Sequence, residues 1–262
     1  MSNAVIETRD LTINFGGHTA VDGVSCSFHG GTLTAIVGPN GAGKTTYFNL
    51  ISGQLSATAG AVYLDGKAIT RLGAAERARR GIGRAFQITN LFPNLTVEEN
   101  VRLAVQAKSH AAAELFSRWR SHAEWIERAA YFLEEVALAD KRHLSAATLS
   151  HGDKRKLEVA LMMALEPHVF MFDEPTAGMS VDEVPVILDL IKKLKAAGDR
   201  TILLVEHKMD VVRSLADRIV VLHNGKLVAD GDPETVIASP IVQEAYLGAA
   251  PAPAGAGGNG HV

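Results

Sequence analysis

Between residues 38 and 45 the chain reads Gly38-Pro39-Asn40-Gly41-Ala42-Gly43-Lys44-Thr45, and this stretch constrains the fold more than any other. It meets every position of the G-x-x-x-x-G-K-[ST] phosphate-binding loop. The loop works only between a strand and a helix, and the flanks supply both. Leu33-Thr34-Ala35-Ile36-Val37 is a short apolar, β-branched run, and Thr46-Tyr47-Phe48-Asn49-Leu50-Ile51 reads as the first turns of a helix. Glycines there let successive backbone N–H groups converge on an anion at the positive end of the helix. Lys44 adds a point charge for the β- and γ-phosphates, and the Thr45 hydroxyl suits Mg²⁺. The expectation is a nucleoside triphosphate site.

The rest of the chain reads as α/β. Residues 5–15 and 24–28 have strand character around a Gly16-Gly17 turn, and residues 61–66 add a strand ending in Asp65-Gly66. A basic helical stretch follows at about residues 74–80. From Thr96 to about Val136 the pattern turns helical, opened by the capping box Thr96-Val97-Glu98-Glu99. Its polar, Ala-rich stretch 109–121 is expected to be the most variable or mobile part. From residue 169 strands and helices alternate: 169–172, a helix about 181–197, 201–205, a helix about 209–215, and 218–222. Such alternation predicts a mainly parallel sheet flanked by helices. An edge strand at 227–229 and helices about 233–238 and 242–247 come next, and residues 249–262 read as a disordered tail.

Composition narrows the class. With 47% hydrophobic and 21% charged residues the chain is an ordinary globular one, and a net charge of −3 argues against a nucleic-acid-coating surface. The single cysteine, Cys26, permits no internal disulfide. Met1 to Asp10 carries no secretory signal pattern, and no uncharged apolar run reaches the roughly 18 residues of a membrane span. A cytosolic chain that meets a membrane only through a partner is expected.

Val169-Phe170-Met171-Phe172-Asp173-Glu174 is an apolar strand ending in two acids, the arrangement a triphosphatase needs at the carboxyl edge of its sheet. Asp173 would hold Mg²⁺, and Glu174 would polarise the attacking water. Further along, Leu149-Ser150-His151-Gly152-Asp153-Lys154 opens an apolar-striped helix.

Taken together, these segments closely resemble the ATP-binding subunits of ATP-binding cassette (ABC) transporters, over about residues 5–248. The resemblance implies a P-loop ATPase core with an N-terminal antiparallel β subdomain and an α-helical subdomain inserted at about residues 96–165, the whole domain spanning 1–248. It implies ATP and Mg²⁺ as cofactors. Phosphate contacts would come from Gly38, Pro39, Asn40, Gly41, Ala42, Gly43, Lys44, Thr45 and Thr46. Leu149 to Lys154 matches the L-S-G-G-Q signature, with His151 in place of a glycine and Asp153 in place of the glutamine. In the family the signature of one subunit covers the γ-phosphate held by the other, which puts Ser150 and Gly152 against a partner's nucleotide. Phe15 matches the aromatic that stacks on adenine, and His207 the switch histidine that contacts the γ-phosphate. Gln87 matches the glutamine that touches Mg²⁺ and the attacking water and senses the membrane partner. Metal ligands would thus be Thr45, Gln87 and Asp173, with Glu174, His207 and Gln87 catalytic. Ser180 stands where many relatives carry aspartate in the loop joining the two subunits' sites.

Gly81-Ile82-Gly83-Arg84-Ala85-Phe86-Gln87, the run from Asn90 to Val101, Val205-Glu206-His207-Lys208-Met209-Asp210 and Glu244-Ala245-Tyr246-Leu247-Gly248 are similar to the Liv-type branched-chain amino acid importer ATPases. Urea and short-amide importers are near relatives. The implied partners are a second ATPase subunit, identical or a paralogue, integral membrane permease subunits, and indirectly a solute-binding protein, with no nucleic acid. The implied location is the cytoplasmic face of the inner membrane. A non-transport ABC ATPase would need two cassettes or a long coiled-coil insertion. A P-loop kinase or GTPase would need a nucleophile-binding lid or an N-K-x-D motif, and no Asn-Lys-x-Asp occurs.

Overall fold

The computed structural model describes residues 4–85, 91–108 and 123–247. Gln87, the stretch 109–121 and the tail 249–262 therefore lie outside the described residues. Two sheets organise the described residues. Strands β1 (Ala4–Phe15) and β2 (His18–His29) form a long antiparallel hairpin whose turn is Gly16-Gly17. On the other side of β1 lie β4 (Ala59–Leu64) and then β5 (Lys67–Ala68), which completes a four-stranded antiparallel sheet.

The second sheet has six strands in the order β10-β9-β3-β8-β7-β6. They are β3 (Leu33–Val37), β6 (Ile82–Ala85), β7 (Val169–Asp173), β8 (Thr201–Val205), β9 (Arg218–His223) and β10 (Lys226–Gly231). All neighbours run parallel except the edge pair β9 and β10. Every residue of β3, β7 and β8 is buried, as expected where helices cover both faces of a parallel sheet.

Successive side chains on these strands go to opposite faces. Met171, Leu203 and Val205 share one cluster with Tyr47, Phe48 and Ile51 of α1 (Lys44–Ser52) and with the inner face of the antiparallel sheet. Phe170, Phe172, Ile202 and Leu204 face the other way. There they meet Leu157 and Ala160 of α5 (His151–Ala164) and Ile187 and Ile191 of α6 (Val184–Ala196). The same cluster runs on into α3 (Val97–Lys108) and α4 (Ala123–Glu135) through Val101, Val105, Trp125 and Leu133. Each such side chain contributes roughly 1.5–3 kcal/mol when fully buried. The remaining helices, α7 (Met209–Leu215), α8 (Pro233–Ala238) and α9 (Pro240–Leu247), follow β8 and β10. No helix among the described residues is long and apolar enough to cross a membrane.

Arg77 of α2 (Ala74–Arg79) fixes the far end of α1. It is 2% exposed, and its guanidinium donates to the carbonyls of Leu50 at 2.6 Å and Ile51 at 2.7 Å, and to those of Thr70 and Leu72. The last carbonyls of a helix have no partner within it, and Arg77 supplies one. Burial pushes its pKa down to about 10.

Candidate nucleotide site

Strand β8 lies between β3 and β7, and the register puts Val205 level with both Ile36 and Asp173. Three chain segments therefore leave the sheet side by side at its carboxyl edge: the loop after β3, Glu206-His207 after β8, and Glu174 after β7. Ligands of open parallel sheets bind at this edge.

The loop after β3 ends at Gly43, the residue that caps α1, with φ of 95°. A side chain there would be strained, and its Cβ would sit 2.4 Å from the Ala20 carbonyl oxygen. The first bond inside α1 runs from Tyr47 N–H to the Gly43 carbonyl at 2.8 Å. The amides of Lys44, Thr45 and Thr46 thus have no partner within the helix, and a helix start of this kind attracts anions. Lys44 Nζ folds back onto its own loop, donating to the carbonyls of Gly38 at 2.7 Å and Pro39 at 3.0 Å. Burial lowers the Lys44 pKa, while Glu174 and then Asp173 act in the opposite direction. Its charge faces the acid pair across the loop.

Asp173 is buried and ion-paired, its Oδ2 lying 2.6 Å from Arg84 Nη2. The same guanidinium donates through Nη1 to Asn49 Oδ1, Ser52 Oγ and Gln54 Oε1, and it lies over the Phe48 ring. Arg84 ties the acid strand to α1. Glu174 is half-exposed and adopts φ of 50°, a left-handed conformation unusual for a residue with a side chain. Strain of this kind concentrates at functional sites. Its amide donates to the Val205 carbonyl at 2.9 Å, and its Oε1 lies 3.8 Å from His207 Nδ1.

Lys44, Asp173, Glu174 and His207 are thus brought to one sheet edge. Thr45 is exposed on the first turn of α1, with Asn40 and Gly41 exposed on the loop and Pro39 partly so. Ala42 and Gly38 are buried beneath it. Phe15, 49% exposed, stands at the β1–β2 hairpin on the other sheet. The donors on hand for a Mg²⁺ ion are the buried Asp173 carboxylate and the exposed Thr45 hydroxyl beside the phosphate loop. One buried carboxylate and one hydroxyl beside a phosphate loop is how Mg²⁺ is held when substrate phosphates and water complete its shell.

Ser150 and Gly152 lie elsewhere, at the start of α5. Ser150 caps the helix, its Oγ accepting from the Asp153 amide at 3.1 Å. Gly152 is pressed by the Glu183 carboxylate, which would lie 2.0 Å from a Cβ at that position. Glu183 Oε2 also accepts from the Ser180 amide and hydroxyl. The signature therefore rests on the loop that carries Ser180. Asp153, which departs from the family pattern, is buried and pairs with Lys141 at 2.6 Å and Lys156 at 3.5 Å. Burial alone would raise its pKa, but the bonds from Lys141 and Ser150 prevail and hold it below the ordinary aspartate value.

Sequence reasoning passed over Arg84, Glu183 and Glu206. Each had a signal: a lone arginine in a small apolar strand, an acid three residues after a serine, and an acid directly after a mostly apolar strand.

Comparison with known proteins agrees with this geometry. The family model described as ABC transporter matches residues 21–177, and one described as branched-chain amino acid ATP-binding cassette transporter matches residues 226–252. The chain is 41% identical to the high-affinity branched-chain amino acid transport ATP-binding protein BraF of Pseudomonas aeruginosa, over 95% of this chain and 100% of that one. A crystal structure of a nucleotide-free ATP-binding cassette from an ABC transporter superposes with a TM-score of 0.80 at 31% identity, covering 94% of this chain and 100% of that one. A dimeric ATP-binding cassette bound to ADP and Pi in a post-hydrolysis state superposes at 0.75 with 28% identity, covering 87% of this chain and 98% of the other. With the phosphate loop, acid strand and signature helix in this arrangement, the chain belongs to the ABC transporter family, as one of its ATP-hydrolysing cassettes.

Proposed function

We propose that this cassette hydrolyses ATP as one of a head-to-tail pair and powers uptake of branched-chain amino acids through separate membrane subunits. The convergence of the phosphate loop, Asp173-Glu174 and His207 at one sheet edge is the observation that carries the chemistry. The family model at residues 226–252 and the name of the Pseudomonas relative support the cargo.

In this reading Phe15 stacks on adenine, and the loop from Gly38 to Thr46 surrounds the phosphates, its donors being the backbone amides without a partner in the loop, those of Lys44, Thr45 and Thr46 foremost. Lys44 leaves the carbonyls of Gly38 and Pro39 for the β- and γ-phosphates, exchanging two neutral acceptors for charged ones. Thr45 and Asp173, with Gln87, would hold Mg²⁺, which when bound would supply positive charge to the transferred phosphoryl group. Glu174 orients and polarises the attacking water, and His207, beside it, contacts the γ-phosphate. Ser150 and Gly152 present the start of α5 to the nucleotide of the partner cassette. The product is ADP and phosphate, and their release lets the pair reopen.

A groove of about 630 Å³ between the sheet edge at β6 and the helices α3 and α5 suits a permease segment. Ala78, Leu103, Ala104, Leu161 and the exposed Phe92 line it, and Arg84 reaches it from the metal site. Such docking places the chain on the cytoplasmic face of the membrane, with the solute-binding protein acting on the far side. Cargo is selected by those partners, so the test is physiological. Deleting the gene in its host should abolish uptake of labelled leucine, isoleucine and valine, with uptake restored by the wild-type gene and not by Glu174→Gln. Normal leucine uptake in the deletion strain, with loss of another cargo, would contradict the proposed substrate.

A further inference from the structure

Glu206 carries a full carboxylate into the interior, with 0% of its surface exposed. Burying such a group costs several kcal/mol unless its oxygens are well bonded. Its bonds run between two loops of the site. Oε1 accepts from the Thr176 hydroxyl at 2.7 Å, and Oε2 accepts from the backbone amides of His207 at 3.0 Å and Lys208 at 3.2 Å. Among the described residues no Lys or Arg pairs with it; the ring of His207, with Nδ1 4.0 Å from Oε2, is the cation within reach when protonated. Thr176, 1% exposed, follows Glu174 by two residues, so the bond to it anchors the acid loop. The two amides anchor the backbone that carries His207. Without this carboxylate those amides would turn to water, and among the described side-chain contacts only the 3.8 Å approach of His207 Nδ1 to Glu174 Oε1 would still join residues 206–208 to residues 174–176.

We infer that Glu206 is a positioning residue for hydrolysis: it staples the loop after β8 to the loop after β7 and so holds the His207 ring beside Glu174. The inference rests on the reading of Glu174 and His207 as the groups around the attacking water. It assigns the work to the three accepted hydrogen bonds. Glutamine reproduces all three, its carbonyl oxygen accepting from both amides and its NH₂ donating to the Thr176 oxygen, whereas alanine reproduces none.

The test uses the full chain, with steady-state Mg·ATP hydrolysis and amide hydrogen exchange read on the same samples. Displacement of a catalytic group by about 1 Å costs about 100-fold, so Glu206→Ala should lose kcat on that scale. KM should stay within about threefold, because the phosphate loop and Phe15 are untouched. Amides 207 and 208 should exchange about tenfold faster. Glu206→Gln should keep at least about a third of kcat and the slow exchange. Should Glu206→Ala fail to fold, Thr176→Val decides, since it removes one bond and leaves the two amides paired; kcat should fall severalfold with KM unchanged. Wild-type kcat in Glu206→Ala or Thr176→Val overturns the staple, and so does a Glu206→Gln variant as impaired as the alanine one. Parallel Glu174→Gln and His207→Ala samples separate the two levels: if these retain turnover the reading of the site fails, and if only Glu206→Ala does, the staple alone fails.

Discussion

Replacing Arg84 by methionine isolates the electrostatics around Asp173. Methionine keeps the length and apolar stem, and Phe48 and Met162 give it apolar neighbours, but the charge beside Asp173 disappears. Both partners of that ion pair are buried, 7% and 8% exposed at their side chains. Removing one member of a buried pair typically costs about 3–5 kcal/mol, because the other is left uncompensated. Each kcal/mol lowers Tm by about 2–4 °C for a domain near this size, so the nucleotide-free variant should melt about 6–20 °C below wild type. Mg·ATP changes the balance. A cation bound at Asp173 supplies the missing charge, so the variant should gain more from ligand than wild type does. A tenfold tighter complex would add about 1.4 kcal/mol to that gain at saturation, or about 3–6 °C. Differential scanning fluorimetry with and without Mg·ATP reads both numbers, and Arg84→Met/Asp173→Asn closes the cycle by removing the orphaned charge. A nucleotide-free Tm within about 2 °C of wild type, or an equal Mg·ATP gain in both proteins, would refute the reasoning.

Lys44→Ala should abolish productive ATP binding, since no other lysine or arginine stands on the loop; unchanged affinity in a nucleotide titration would remove Lys44 from the site. Phe15→Ala should weaken ATP affinity by roughly 1–3 kcal/mol, the range of base–aromatic stacking, with the fold intact because the ring is half-exposed; an unchanged titration would argue against stacking. Asp153 has a depressed folded-state pKa, so its contribution is present above the unfolded value, near 3.8, and is lost as pH falls through the folded one. The Tm difference between wild type and Asp153→Asn should therefore be full above about pH 5 and vanish well below about pH 4; a difference that grows on acidification would contradict the assignment.

Much of this fold is written in local pattern. Helix α8 begins where Asp232 caps and Pro233 presets the first turn, and α3 begins at the Thr96–Glu99 box, whose reciprocal bonds form at 2.9 and 3.1 Å. Elsewhere tertiary contacts decide. The helix expected from residue 181 starts at Val184, because Ser180 and Glu183 bond each other in a turn that meets Gly152. Strand β2 starts at His18 rather than residue 24, since pairing with β1 continues through register shifts that break the alternating pattern. Arg77 reads as one more basic residue of an exposed helix, yet it is buried as the cap of α1. The segments that meet at the carboxyl edge of the parallel sheet were legible where a spacing announces them, as at residues 38–45 and 173–174. Arg84 and Glu206 make their contacts through strand order, which sets β6 and β8 on either side of β7, and no local pattern encodes that order.

Glu174 is the group proposed to activate water, and hydrolysis as proposed depends on it more than on any other side chain. Glu174→Gln keeps size and one acceptor but loses the charge, so hydrolysis should fall by orders of magnitude while Lys44, Thr45, Asp173 and the loop amides still bind Mg·ATP. With ATP retained, two cassettes should stay closed with each Ser150 over the other's nucleotide. Size-exclusion chromatography at several protein concentrations should therefore show an ATP-dependent dimer of the variant and monomer with ADP. Near-normal turnover in Glu174→Gln, with no ATP-dependent dimer, would contradict the account.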